Sequence, residues 1–129
     1  MRRSVVTIMI SMLGFTAGCA AVTSLDGERM TVRSATFASY VEAVFRRQNE
    51  VATGLAFALD AEPFDSARYR RLEAAESALL DACDGLNVIA ERRRDGEGAG
   101  GLKAARAARK APECERAALS AAGMLTADR

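Results

Sequence analysis

Apolar residues recur at alternating steps of four and three along the first half of the chain, a spacing that places them on one face of a helix. The stripe consists of Phe37, Val41, Val44, Gln48, Val51, Leu55 and Ala58, with Gln48 as its polar interruption. It predicts a first amphipathic helix from about Ala35 to Leu59. Ser34 is placed to cap this helix, because its hydroxyl can accept a hydrogen bond from a free N–H of the first turn.

A second stripe with the same spacing begins after Glu62-Pro63, where proline ends one helix or opens the next. It consists of Tyr69, Leu72, Glu76, Leu79, Cys83, Leu86 and Ala90. It predicts a second helix from about Ser66 to Arg93, capped by Asp65 or a neighbour. Glu76 interrupts this stripe as Gln48 interrupts the first.

The glycine-rich segment 95–101 separates the second helix from a third. The third is expected from Leu102 to about Met124, with a kink or short break at Pro112. Three amphipathic helices with short connections and no alternating strand pattern predict an all-α fold. The expected architecture is an antiparallel up-down-up three-helix bundle over residues 34–126.

The first 18 residues have the layout of a secretory signal peptide. Arg2 and Arg3 precede an apolar run of 13 residues, Val5–Ala17, and small residues follow at Gly18, Ala20 and Ala21. Thirteen residues are too few to cross a ~30 Å bilayer core as a helix. The competing interpretation is a short hydrophobic core helix or an uncleaved anchor.

The segment Thr16-Ala17-Gly18-Cys19 resembles the lipobox of bacterial lipoproteins. The resemblance implies that residues 1–18 are removed and that Cys19 becomes the first mature residue, carrying diacylglyceryl and N-acyl chains such as palmitate. Thr16 departs from the family pattern, which has an aliphatic residue there. Ala20 favours the outer membrane, facing the periplasm, over inner-membrane retention. Residues 19–33 are polar and irregular and are expected to form a flexible tether.

Ordinary signal peptidase cleavage at Gly18-x-Ala20 is the alternative, and it would give a soluble periplasmic protein. In either case Cys83 and Cys114 remain, and an even remainder in an exported protein predicts a disulfide. If the second and third helices are antiparallel about a turn near Gly98, these two cysteines lie at one level. The same reasoning about a turn at 61–62 places Gln48 opposite Glu76, as a polar pair that sets the register of the first two helices.

Charge and composition limit the classes of function. The chain has a net charge of +1, and loss of Arg2 and Arg3 leaves 16 basic against 17 acidic residues, which argues against a nucleic-acid partner. There is no histidine, and no motif indicates a catalytic residue, a metal site or a cofactor. Basic residues gather around the glycine-rich segment at Arg92, Arg93, Arg94, Lys103, Arg106 and Lys110.

These observations predict a non-enzymatic lipoprotein. Its helical bundle is expected to be a structural or protein-interaction module of the cell envelope, tethered to the membrane through Cys19. Small uncharacterised helical lipoproteins of proteobacteria resemble this mature domain. The alternative is an accessory protein that binds anionic lipid or an envelope polymer through the basic residues at its helix end.

Overall fold

The computed structural model describes residues 21–96 and 102–127. Most of these residues are helical. In chain order the elements are β1 (Ala21–Thr23), β2 (Arg29–Thr31), α1 (Ala35–Ala61), α2 (Ala67–Arg94), α3 (Leu102–Ala108) and α4 (Ala111–Thr126).

Serine side chains cap the N-termini of the two long helices. The Oγ of Ser34 accepts a hydrogen bond from the backbone N–H of Phe37 at 3.0 Å, which confirms Ser34 as the cap of α1. The Oγ of Ser66 accepts from the N–H of Tyr69 at 2.9 Å and performs the same role for α2. The predicted boundaries of both helices hold to within two residues.

The third predicted helix is divided into α3 and α4 by a turn at Arg109 and Lys110. Pro112 lies in the first turn of α4, where its missing N–H has no partner to lose. The predicted break at Pro112 is therefore confirmed.

The helices α1, α2 and α4 pack against one another around a common core, so the fold is a helical bundle. The predicted stripes supply this core. Its large side chains with at most 2% exposure include Val44, Leu55, Leu72, Leu79 and Leu86, and small alanines of α4 pack against them. Gln48 is also buried, at 4% exposure.

Residues 21–31 form an antiparallel β-hairpin, so the predictions of a purely helical fold and of a flexible tether over 19–33 are wrong for this segment. Val22 pairs with Met30 across the hairpin, and both are buried against Phe37 of α1 and Ala108 of α3. Gly27 makes the turn possible because its φ of 86° is open to glycine and strained for other residues. Each strand has only three residues, too few for an alternating pattern to be recognised in the sequence.

Candidate functional site

The predicted lipidation site, Cys19, lies outside the described residues. The first described element, β1, begins at Ala21, two residues later. Two residues of any conformation span at most ~7 Å. A lipid on Cys19 would therefore hold the hairpin close to the bilayer, with no long spacer between them.

The predicted disulfide between Cys83 and Cys114 is present. Its sulfur atoms are 2.04 Å apart, and both cysteines are completely buried. The bridge joins the middle of α2 to the first turn of α4, just after the break at Pro112. It closes a loop with a sequence separation of 31 residues that contains the glycine-rich segment and α3.

Gln48 pairs with Asn87 instead of Glu76, so the predicted polar pair is wrong in its second member. The Nε2 of Gln48 donates to the Oδ1 of Asn87 at 2.9 Å, whereas Glu76 is partly exposed. The connection between α1 and α2 is centred on Phe64, later than the turn at 61–62 that the sequence indicates. A turn centred on Phe64 would bring Leu80 level with Gln48, so the later connection accounts for only part of the step from Glu76 to Asn87.

The amide of Gln48 also contacts the disulfide. Its Oε1 lies 3.8 Å from the Sγ of Cys114. A disulfide sulfur carries no hydrogen, so this approach is a van der Waals contact. Gln48, Asn87 and the disulfide together connect α1, α2 and α4 at one level of the core. Their arrangement holds the three helices in register.

A second polar link connects α1 to α4. The hydroxyl of Tyr40 donates to Oε2 of Glu115 at 2.7 Å, and Nη1 of Arg47 donates to Oε1 of the same carboxylate at 3.2 Å. Burial of the phenol, its hydrogen bond to Glu115 and the negative charges of Glu115 and Asp26 raise the pKa of Tyr40 above its ordinary value. The phenol therefore stays protonated and acts as a donor.

The six predicted basic contacts do not form one uniform patch. Arg92 and Arg106 are exposed. Arg94 lies 3.6 Å from Asp95 and 4.0 Å from Glu91, and Lys110 lies 2.8 Å from Glu113, so these two are partly neutralised. The side chains of Arg93 and Lys103 lie outside the described part of the structure.

The hairpin brings together arginines that the sequence did not associate. Ala108 packs in the same small core as Val22, Met30 and Phe37, and this places the end of α3 beside the hairpin. Arg29 and Arg33 lie next to this small core along the chain at the hairpin, Arg106 and Arg109 lie next to it at Ala108, and all four are exposed. The alternation of Arg29, Met30 and Thr31 in β2 is too short to indicate this group from the sequence.

Two exposed aromatic side chains lie far from the hairpin. Phe57 in the penultimate turn of α1 is 73% exposed, and Phe64 in the connection to α2 is 80% exposed. The ring of Phe64 lies 5.0 Å from that of Tyr69, measured between centroids. Phe57 follows Phe37 by twenty residues of helix, which corresponds to ~30 Å along α1.

A shallow groove runs along the outer face of α1 and is lined by Glu42, Phe45, Arg46, Asn49, Glu50 and Thr53. Its one hydroxyl, that of Thr53, donates to the backbone oxygen of Asn49 at 2.8 Å. Over residues 21–96 and 102–127, no group of three or more metal-binding side chains converges. Within the same ranges, no helix combines the length and apolar character that crossing a membrane requires.

Comparison with models of known protein families, with curated proteins and with solved structures found no match to this chain.

Proposed function

We propose that this chain is a lipoprotein of the bacterial cell envelope, anchored through lipid on Cys19, whose helical domain is a non-catalytic protein-interaction module in the periplasm. The observation that carries the proposal is the buried disulfide between Cys83 and Cys114. Structural disulfides persist in oxidising compartments and are rare in the cytosol. The signal-peptide pattern and the segment Thr16-Ala17-Gly18-Cys19 supply the route to such a compartment.

The proposed architecture of the module is the antiparallel up-down-up bundle. Its support is a set of contacts between the helices. Gly85 of α2 approaches Ala107 of α3, while Cys83, earlier in α2, bonds to Cys114, later in the chain. An earlier residue of α2 therefore contacts a later residue of the following helices, which is typical of antiparallel neighbours.

The surface proposed to contact another envelope protein is the end of the bundle that carries Phe57 and Phe64. Two aromatic rings more than 70% exposed in one region are costly in water, and exposed aromatic groups of this kind are enriched at protein interfaces. This end lies ~30 Å along α1 from the hairpin and from the position of the lipid. It is therefore free to meet a partner in the periplasm.

Chemical cross-linking in intact cells tests the interaction module. We expect a stoichiometric cross-linked protein partner with the unaltered chain and its loss with Phe57→Ser/Phe64→Ser. Leu80→Ser/Leu119→Ser is the matched control, because it removes two exposed leucines from other parts of the surface. Equal loss with both double variants, or cross-linking that neither reduces, would contradict the proposed contact surface.

The alternative function is binding of anionic lipid or an envelope polymer through the basic helix end. The exposed guanidinium groups of Arg92 and Arg106, which have no ion pair among the described residues, favour it. Salt-sensitive binding that is lost in Lys103→Glu/Arg106→Glu is its test.

A further inference from the structure

We propose that the hairpin end of the domain is a membrane-seating surface, in which Arg29, Arg33, Arg106 and Arg109 contact the phosphate groups of anionic lipids. The inference rests on the proposed function in one respect, since lipid on Cys19 is what brings this end to the bilayer. It adds a specific surface and an orientation. The bundle would rest on its hairpin end with Phe57 and Phe64 held away from the membrane.

The hairpin is joined firmly to the bundle. Val22 is 5% exposed and Met30 is 4% exposed, and both pack on Phe37 and Ala108. The turn is closed by the backbone N–H of Ser24, which donates to the oxygen of Glu28 at 2.9 Å. Since Cys19 precedes Ala21 by two residues, the lipid would pull on a packed element and hold this end of the domain within ~7 Å of the anchor.

The arginines of this end are directed to solvent. In β2 the side chain of Met30 points to the core, so that of its neighbour Arg29 points away from it. Arg33 follows in the exposed turn before α1, and Arg106 and Arg109 flank the buried Ala108. Among the described residues, none of these four guanidinium groups takes part in a salt bridge.

The acidic residues of this region leave the positive charge largely uncompensated. Asp26 and Glu28 lie at the turn of the hairpin, opposite the end where Ala21 and the anchor lie. Glu113 is paired with Lys110 at 2.8 Å. Arg29 lies at this turn beside Glu28, whereas Arg33 follows the base of the hairpin and Arg106 and Arg109 lie at the end of α3. The excess of arginine is therefore greatest at the base of the hairpin and the adjoining end of α3.

Lipid phosphate is the ligand that this surface and its position fit best. Guanidinium groups form paired hydrogen bonds with phosphate oxygens. The anchor would hold this end of the domain at the bilayer, where a charged surface acts over ~8 Å at physiological salt, so binding becomes effectively intramolecular. A free polymer would have no such covalent constraint.

Amide hydrogen exchange on the cell-processed full chain tests the surface. The protein is purified after expression in a Gram-negative host, the state of Cys19 is read by mass spectrometry, and the chain is mixed with excess vesicles. One vesicle type contains phosphatidylcholine alone, and the other contains one third phosphatidylglycerol. We expect slower exchange in residues 21–37 and 105–110 on the anionic vesicles only.

The variant Arg33→Gln/Arg109→Gln should lose this protection, and Arg71→Gln/Arg116→Gln, which removes the same charge elsewhere, should keep it. Each arginine near an anionic surface gives about a fivefold gain in binding, so the loss of two lowers the equilibrium constant for seating by about 25-fold. Equal protection on both vesicle types, or no protection at all, would overturn the seating surface.

The two proposals fail in different ways. Lipid on Cys19 without protection of the hairpin would leave the anchor proposal intact and refute the seating surface. Protection on anionic vesicles with an unmodified Cys19 would refute the anchor and support the surface.

Discussion

Reduction of the bridge between Cys83 and Cys114 should lower the free energy of unfolding by several kilocalories per mole. The bridge closes a loop with a sequence separation of 31 residues, and both cysteines are fully buried. Loop-closure entropy for this length gives a stabilisation of about 3–4 kcal/mol, through restriction of the unfolded chain. Reduction keeps both sulfur atoms in the core, so this comparison isolates the cross-link better than alanine substitution does.

A smaller effect acts in the opposite direction. On reduction, the thiol of Cys114 gains a hydrogen that it can donate to the Oε1 of Gln48, 3.8 Å away in the oxidised structure. A thiol is a weak donor, so this bond offsets only a small part of the loss.

Urea unfolding of the oxidised and reduced protein, followed by circular dichroism, measures the difference. A chain of this size has a denaturant slope of about 1–3 kcal/mol per molar urea, so the midpoint should fall by about 1–4 M. A Cys19→Ser background leaves only the two bridging thiols to count by titration, and that substitution alone should not move the midpoint. A difference under ~1 kcal/mol would refute the loop argument.

Three further predictions concern single positions. Tyr40→Phe should flatten the loss of stability at alkaline pH, measured by urea midpoints from pH 8 to 11. The raised pKa of Tyr40 favours folding below the ordinary tyrosine value of about 10, and this contribution is lost as the pH rises above it. Gln48→Leu should lower the free energy of unfolding by about 1–3 kcal/mol, because Asn87 loses its hydrogen-bond partner. Gln48→Leu/Asn87→Leu should recover much of that loss. If the effects of the two substitutions on the free energy of unfolding are additive, the coupling is contradicted. Gly123→Ala should raise the melting temperature, because the added methyl group meets nothing within 4 Å and alanine favours the helix by up to ~1 kcal/mol. Gly85→Ala should give no such gain, because the added Cβ would lie 3.3 Å from the Cβ of Ala107.

The helices could be predicted because each carries a repeating signal along its own sequence. The stripe that includes Leu55 and the one that includes Leu79 each repeat over more than five turns, and most of the side chains in each supply or adjoin the core. Ser34 and Pro112 mark boundaries by local chemistry, since one accepts from a free N–H and the other lacks an N–H. The disulfide could be predicted from the register of two antiparallel helices about the glycine-rich segment. That prediction still holds if the position of the turn is wrong by a residue or two.

The hairpin and the partner of Gln48 could not be predicted, because both depend on contacts between distant parts of the chain. Val22 and Met30 form strands because Phe37 and Ala108 cover them, and nothing within residues 21–31 shows that such a cover exists. Asn87 lies eleven residues beyond Glu76, and the displaced connection around Phe64 accounts for less than half of that difference. A shift of a few residues there changes which side chains of α2 face those of α1.

The central claim is a lipid anchor on Cys19, and the mass of the mature N-terminus tests it most directly. After expression in a Gram-negative host, the N-terminal peptide should begin at Cys19 and carry the mass of a diacylglyceryl group and an N-acyl chain. Cys19→Ser should remove that mass and block processing or release the domain from membranes. A mature chain that begins after Ala20, or one that retains residues 1–18 with an unmodified Cys19, would contradict the account.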